Sequence, residues 1–446
     1  FVNPSETFPE DQFQFCCDQV ALYDPLNDLM IWFLQYVQDG HQNIFRVAVA
    51  QGPQGISSQD WHFYDFSPKS VGNWDDEWFD FPDLALGKDF LYVSVNTFAT
   101  KGTVTSNDDT FARAAIVRIP LSVLKQKGEL GAEDVKVFSS EESFSLRPTQ
   151  GARGGLMYFG GHDFSDFGGR IELFAWPESG TQVERKAMVV EDWSEEDYDS
   201  TGKDGNRWLN RADPRMTAAW ASGDRIGFAW NAGRDRRFDE PHVRVAVAGL
   251  DGQKRPSRIV AQPHLSNPRF AYAYPAAGVT PDGTVGLAVC FGGGGRDQGR
   301  NPGIAVGLLN AGQGDQLTWD LVEVAEGTNG PSQAIWGDYL AVRPHGRQDN
   351  TLVATGFVLQ GGTTVENVVP RFVHFSPAGT VSETGPDLQE LRKQAVRIRD
   401  EVQKLIELID RAGGTPGASP QPSPARPGAA PPASGAERQP GTSSSR

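Results

Sequence analysis

The sequence contains no run of 18 or more apolar residues, and only three of its 446 residues are cysteines. The first absence argues against a membrane-spanning helix, which needs about 20 such residues. The second argues against the disulfide framework typical of small secreted domains. Cys and His residues do not recur at the spacing of a zinc site, and no Gly-rich stretch continues into Lys-Ser or Lys-Thr, as a phosphate-binding loop requires.

Basic residues are also scarce. There are 41 Lys and Arg residues against 57 Asp and Glu residues, for a formal net charge of −16 at pH 7. This excess of negative charge argues against nucleic acid or an anionic membrane as a partner, whereas neutral sugars, cations and basic surfaces fit it better. The chain begins at Phe1 and not at Met, which predicts removal of a signal peptide and favours a secreted protein.

Glycine and proline are abundant, with 50 and 30 residues respectively, as expected for many short strands joined by tight turns. A short motif recurs six times at intervals of 61 to 66 residues, in which Pro, Gly or Cys precedes a marker residue at the start of an apolar strand. The markers are Asp18, Asp83, Thr149, Arg215, Ala276 and Asp338. A fixed period of this length indicates a propeller, solenoid or array.

Each period contains four strand-like segments, although the sixth shows only three clear ones. We therefore predict an all-β fold, a six-bladed β-propeller of four-stranded antiparallel blades over residues 16–384. The markers would begin the innermost strands and ring one mouth of the central channel. Residues 1–15 form an N-terminal segment that would supply the fourth strand of the sixth blade, unless Val381 and its neighbours do so.

A different periodicity follows the propeller. Apolar residues alternate at spacings of three and four, the a/d pattern of a coiled coil, at Leu388, Leu391, Ala395, Ile398, Val402, Leu405 and Ile409. Residues 385–414 are therefore predicted to form an amphipathic helix. It would make a homo-oligomer through residues 388–409 or dock on its own propeller. Residues 415–446 are rich in Pro, Ala, Gly and Ser, which predicts a disordered tail.

Three of the markers are aspartates on neighbouring blades. Blades six, one and two are adjacent in the ring, so Asp338, Asp18 and Asp83 are expected to converge, with Arg215 across the mouth. Such a trio suits catalysis, with one Asp as general acid and another as base or nucleophile in glycoside cleavage. It also suits a Ca²⁺ site, since Ca²⁺ prefers oxygen ligands. Alternatively, each Asp caps its own turn.

Further polar and aromatic residues are candidates for ligand binding, namely Arg215, His162, Arg236, Arg296, Tyr339 and Trp78. A planar Arg fork can hold the carboxylate of an acidic sugar, and an aromatic ring can stack on a sugar face. The alternatives are ion pairs that fix the loops and rings that bury them. Cys16 and Cys17 adjoin Asp18, and they would form either a vicinal disulfide at the mouth or two free thiols.

In architecture, residues 16–380 resemble the six-bladed sialidase-like propellers. An Arg-Ile-Pro sequence is present at Arg118-Ile119-Pro120, but it falls in blade two, whereas the sialidases carry theirs near the first blade. Thr280-Pro281-Asp282-Gly283-Thr284 matches the sialidase Asp-box loosely, and no catalytic role is carried over. The three aspartates also resemble the carboxylates on the inner strands of five-bladed glycosidases, although the blade number differs and no Glu occupies those positions.

We therefore expect an extracellular carbohydrate-recognising propeller that binds its ligand at the channel mouth, and whether it cleaves the glycan stays open. The alternative is a protein-interaction or adhesion head displayed on an oligomeric helical stalk.

Overall fold

The computed structural model of the chain describes residues 4–8, 15–37, 43–100, 109–131, 133–163, 168–312, 316–346 and 350–377. These residues form six antiparallel sheets in chain order. The predicted all-β fold with six blades is therefore confirmed. The predicted helix at 385–414, the tail at 415–446 and the strand sought near Val381 lie outside the described residues.

The first three blades comprise four strands each. Blade one contains β1 (Phe15–Asp24), β2 (Leu29–Tyr36), β3 (Phe45–Gln51) and β4 (His62–Phe66). Blade two contains β5 (Glu77–Leu86), β6 (Phe90–Ala99), β7 (Thr110–Pro120) and β8 (Lys136–Ser140). Blade three contains β9 (Ser143–Pro148), β10 (Leu156–Asp163), β11 (Arg170–Pro177) and β12 (Glu184–Val189).

The last three blades follow the same order, with one strand fewer in the sixth. Blade four contains β13 (Met216–Ser222), β14 (Arg225–Ala232), β15 (His242–Leu250) and β16 (Pro256–Ala261). Blade five contains β17 (Ala271–Val279), β18 (Val285–Gly293), β19 (Arg300–Ala311) and β20 (Leu317–Glu326). In the described part of blade six the strands are β21 (Ala341–Pro344), β22 (Leu352–Leu359) and β23 (Val368–Phe375).

Helices in the described ranges are short and lie between strands or at the N-terminus. The α-helices are Pro4–Thr7, Gly52–Ser57, Pro68–Gly72, Leu121–Gln126 and Gly295–Gln298, and the 3₁₀ helix is Val365–Asn367. None of them is long and apolar enough to cross a membrane. The first helix is followed by Phe8, whose ring packs on Trp32 and Phe63 of blade one.

The hydrophobic core lies between adjacent blades. One buried cluster joins blades one and two, another joins blades two, three and four, and two more join blades four to five and five to six. The strands next to the innermost ones are therefore buried on both faces, as in β18, all of whose residues are buried. This explains why these strands read as continuous apolar runs and not as alternating patterns.

The innermost strands of blades two, three and five each contain a β-bulge near the channel. The ladder skips two residues between Asp80 and Asp83 in β5 and between Ala273 and Ala276 in β17. The first skipped residue has a left-handed backbone, with φ 52° at Phe81 and 56° at Tyr274. Pro82 and Pro275 follow, because a bulge is where a residue without an N–H group fits a strand.

In blades two and five the recurring proline therefore marks a bulge inside the innermost strand and not its start. In blade two the strand begins at Glu77, six residues before the marker Asp83, and in blade five it begins at Ala271. In blade three the marker Thr149 comes just after the strand ends at Pro148, and the ladder resumes after the bulge at Arg147. Each bulge changes which side chains of its strand face the mouth.

The innermost strands approach so closely that small residues are required between them. A Cβ added to Gly278 in β17 would lie 2.6 Å from the carbonyl oxygen of Val342 in β21, and backbone atoms cannot yield as a flexible side chain does. We expect Gly278→Ala to lower the free energy of unfolding by about 1–3 kcal/mol, the usual effect of overpacking. Denaturant unfolding measures it. Gly252→Ala is the matched control, because that glycine has open space around it, and equal effects of the two would contradict the prediction.

Candidate functional site

Three carboxylates, one each from blades one, two and six, lie close enough to Arg215 for its charge to act on each of them. They are Asp18 in β1, Asp80 in β5 and Asp338 just before β21. Burial raises the pKa of all three, and that of Asp338 to about 6. Their mutual repulsion adds to this, because the charge of Asp80 raises the pKa of Asp18 and the charge of Asp18 raises that of Asp338.

Arg215 faces these carboxylates from the start of blade four. Its Nε lies 2.7 and 2.8 Å from the two carboxylate oxygens of Asp213, and its guanidinium stacks 4.1 Å from the centre of the Phe81 ring. Its charge lowers the pKa of Asp18, Asp80 and Asp338, against the effect of burial. We call Asp18, Asp80, Asp338 and Arg215 the mouth cluster.

Aromatic side chains lie beside the cluster. The rings of Phe81 and Tyr339 are 5.5 Å apart, and the Tyr339 hydroxyl donates a hydrogen bond of 2.8 Å to Asp18 Oδ2. This bond joins blade six to blade one and so helps to close the ring. The Tyr339 ring therefore holds one carboxylate in a defined position.

Tyr274 adds a buried hydroxyl near Asp338. Its ring packs on Gly337, where a Cβ would lie 2.3 Å from a ring carbon. Burial and the charge of Asp338 raise the pKa of the phenol above its ordinary value. In the described part of the chain its oxygen is buried and has no hydrogen-bond partner.

Asp83 does not join the mouth cluster as predicted. The bulge at Phe81 and Pro82 shifts the register, so Asp80 takes its place at the mouth. Asp83 is instead buried and paired with Arg147, whose Nε lies 2.9 Å from Oδ2, and with Arg343, whose Nη2 lies 4.0 Å from Oδ1. This ion triad ties blades two, three and six across the channel.

The predicted calcium site at Asp18, Asp83 and Asp338 stays a prediction. Among the described residues, no three or more His, Cys, Asp or Glu side chains are grouped closely enough to hold a metal ion. The pairing of Asp83 with two arginines leaves Asp18 and Asp338 as the predicted oxygen donors at the mouth.

The structure places His162 in the core, next to the backbone of Pro214, the residue before Arg215. Its ring is fully buried between Trp193 and Trp230, at 5.0 and 5.1 Å, and burial lowers its pKa to about 3. The imidazole is thus neutral at physiological pH and packs as part of the core between blades three and four.

Of the other predicted ligand residues, Trp78 lies in β5, Arg236 in the connection between β14 and β15, and Arg296 in the short helix Gly295–Gln298. The Trp78 indole donates a hydrogen bond of 3.1 Å to Asp109. Arg236 is exposed and lines an open cavity of about 610 Å³ beside Trp193. Arg296 packs against Gly205, where a Cβ would be 2.6 Å from its Nη2. Of the six predicted ligand residues, Arg215 and Tyr339 lie at the carboxylates.

The Arg-Ile-Pro sequence has a packing role between blades two and three. Arg118 is buried, its guanidinium lies 4.5 Å from the Trp176 ring, and its Nη1 donates to the carbonyl oxygen of Pro177 at 3.1 Å. It therefore does not line the mouth.

Sequence reasoning missed Asp80, Asp213 and Arg211, whose charges all act at the mouth. Two of them had a local signal. Asp80 and Asp213 both precede the proline of a repeat, in Asp80-Phe81-Pro82 and Asp213-Pro214. An acidic residue before this proline is therefore as good a candidate for the mouth as a marker residue after it.

Comparison with known proteins finds similarity in structure alone. No protein-family model matches the sequence, and no curated protein matches it. The solved structures that match include the GH43 protein BlXynB of Bacillus licheniformis (10% identity, TM-score 0.34, 69% of this chain and 55% of that chain). They also include an alpha-L-arabinanase of Cellvibrio cellulosa (13%, 0.34, 69% and 95%) and prolyl oligopeptidase B of Galerina marginata (10%, 0.39, 83% and 40%).

The chain thus spans about half the length of the first of these proteins. At this level of similarity, no residue of the mouth cluster is assigned a role from any of them.

The shifted pKa of Asp338 predicts a pH dependence of stability. Between pH 3.8 and about 6 the folded protein holds a proton on Asp338 that the unfolded chain has lost, so folding loses stability as pH rises through this window. Asp338→Asn abolishes this loss. We expect its stability relative to the wild type to grow from about pH 4 to 7, by up to about 3 kcal/mol, since one pKa unit corresponds to about 1.4 kcal/mol. Urea unfolding across this range measures it, and a constant difference would refute the assignment.

The ion triad predicts a different outcome for Asp83. Asp83→Asn leaves Arg147 and Arg343 buried without a carboxylate, which costs about 3–5 kcal/mol. Asp80→Asn, three residues earlier on β5, is the matched control: burial already disfavours the charge of Asp80, so removing it costs little. Chemical denaturation measures the free energy of unfolding of both variants. Equal losses of stability would mean that Asp83 is not the cross-channel partner.

Proposed function

We propose that the protein binds a glycan at the mouth cluster and cleaves a glycosidic bond there. The observation that carries this proposal is the presence of two partly buried carboxyl groups in one cluster, one of which accepts a hydrogen bond from Tyr339. Burial raises the pKa of both, that of Asp338 to about 6, and the hydrogen bond from Tyr339 opposes this effect at Asp18 by favouring its ionised form. Glycoside hydrolysis requires such a pair, one acid that donates a proton and one carboxylate that acts as base or nucleophile.

In this proposal Asp338 is the general acid. At mildly acidic to neutral pH part of the population carries its proton, which suits transfer to the departing sugar oxygen. Asp18 is the base or nucleophile, held by Tyr339 at 2.8 Å. Asp80 keeps the pKa of Asp18 raised by its charge, and it is the remaining acceptor for sugar hydroxyls.

The charges at the mouth favour a neutral sugar over an acidic one. Arg215 is the cation that would bind a carboxylate, but Asp213 already occupies its Nε, and its flat face covers Phe81. It also interacts electrostatically with Asp18, Asp80 and Asp338. The acidic-sugar specificity of a sialidase-like propeller is therefore the less favoured form of this proposal.

The compartment is proposed on the same footing. Cys16 and Cys17 are joined by a disulfide. Disulfides persist in oxidising compartments, so a secreted or extracellular protein is the best fit.

The test is incubation of the full chain with neutral and acidic polysaccharides, while bound protein and released reducing sugar are both followed. We expect release from a neutral glycan, a loss of about 10²- to 10⁴-fold in kcat for Asp338→Asn, as is typical of general-acid removal, and no turnover but retained binding for Asp18→Asn. The activity of the wild type should fall above about pH 6 because Asp338 loses its proton. Asp297→Asn, an exposed residue in the loop of blade five, is the control.

Other outcomes point to other functions. Binding without released sugar would make the protein a lectin, and loss of that binding with a chelator would support the Ca²⁺ alternative. An absence of both binding and release would overturn the proposal in favour of a protein-interaction head.

A further inference from the structure

The disulfide Cys16–Cys17 joins neighbouring residues at the rim of the channel mouth, with its Cα atoms 3.7 Å apart. Both cysteines are exposed, and the next residue is Asp18 of the mouth cluster. Adjacent cysteines close a small ring that includes the peptide bond between them. Such a ring restricts the backbone that leads directly into Asp18.

This restriction falls on a segment that the sheet itself does not hold. In β1 the ladder pairs Phe15 with Tyr36 and then resumes at Gln19 with Leu34. Cys16, Cys17 and Asp18 thus stand against Gln35 alone and have no ladder partners of their own. An unpaired bulge of three residues samples many conformations unless something else fixes it.

Two contacts are available to fix Asp18. One is the hydrogen bond from the Tyr339 hydroxyl, and the other is the covalent ring formed by the two preceding residues. Around the Asp18 carboxylate stand Asp80 from blade two, Tyr339 from blade six, and Arg215 and Arg211 from the connection into blade four. Asp80 repels the carboxylate and the two arginines attract it, so its position depends on how the backbone before it is held.

We propose that the Cys16–Cys17 disulfide is the positioning element of the mouth cluster: the closed ring keeps Asp18 beside Asp80 and Asp338, and a dithiol reductant dismantles the arrangement. A thiolate of the dithiol attacks one sulfur, breaks the S–S bond and forms a mixed disulfide. The second thiol of the reductant then displaces the cysteine. Two electrons and two protons pass to the protein, which leaves two cysteine thiols and a cyclic oxidised reductant. The inference rests on the proposed function in one respect only, namely that Asp18 acts in glycan binding or cleavage.

The test needs no glycan. The full chain is labelled with ¹³C at the aspartate carboxyl carbon, the signals of Asp18 and Asp338 are assigned with Asp18→Asn and Asp338→Asn, and both are titrated before and after reduction with dithiothreitol. Titration stays below about pH 7.5, where the new thiols remain uncharged. Failure to find a glycan would leave this result intact, and the reverse also holds.

On reduction we expect the pKa of Asp18 to fall by about 0.5 unit or more, because its burial is the main cause of the raised value. The pKa of Asp338 should fall with it, because the charge of Asp18 contributes to its raised value. Reoxidation should restore both curves. Superimposable curves, with mass spectrometry confirming two free thiols in the reduced sample, would overturn the proposal.

Variants separate positioning from general stability. Cys16→Ser with Cys17→Ser should reproduce the reduced curves in a protein with unchanged circular dichroism, and the reduced wild type serves if that variant does not fold. Cys290→Ala is the control for thiol effects elsewhere, since Cys290 is buried against Trp336. In Tyr339→Phe the difference between oxidised and reduced protein should shrink, because the shared contact is gone. An undiminished difference would show that the ring holds Asp18 without the Tyr339 hydrogen bond, which also supports the proposal.

Discussion

The convergence of the innermost strands on one axis is the constraint on which the rest of this structure depends. Strands from six blades meet in a narrow space, where close backbone contacts require small residues and buried charges require a partner of opposite sign. Gly278 lies against the backbone of Val342, and Asp83 is paired with Arg147 and Arg343. The other charged side chains near the axis lie at the mouth, where they are incompletely buried and a ligand can approach them.

The bulges in the innermost strands decide which side chains face the mouth. A left-handed residue followed by proline breaks the ladder near the upper end of β5, so Asp80 before the bulge faces the mouth and Asp83 after it faces the channel. Two carboxylates three residues apart therefore have different partners and different roles. The same device in β17 places Tyr274 beside Asp338. The bulges, and not the regular parts of the two strands, therefore position Asp80, Asp83 and Tyr274.

Electrostatics at the mouth favour partial protonation. Asp18, Asp80, Asp338 and Asp213 share the neighbourhood with Arg215 and Arg211, so the acids outnumber the bases. Burial makes this excess of negative charge energetically unfavourable, and the pKa of Asp338 is raised as a consequence. A cluster of this kind holds a proton near neutral pH and so combines a donor and an acceptor in one place. The position of Asp18 within it depends on Tyr339 and on the segment that carries the disulfide.

The sequence by itself determined the six repeats and the all-β fold, because strand periodicity and the repeat spacing are local signals. Only the tertiary structure decided that Asp80 and not Asp83 completes the cluster, because a two-residue bulge reverses which side chain faces the axis and leaves no distinct mark in composition. It also decided that His162 belongs to the core, because the rings of Trp193 and Trp230 enclose it from segments far apart in the chain. Charge pairing across the channel depends on residues more than 60 positions apart, such as Asp83 and Arg147, and a single sequence does not reveal which of them meet.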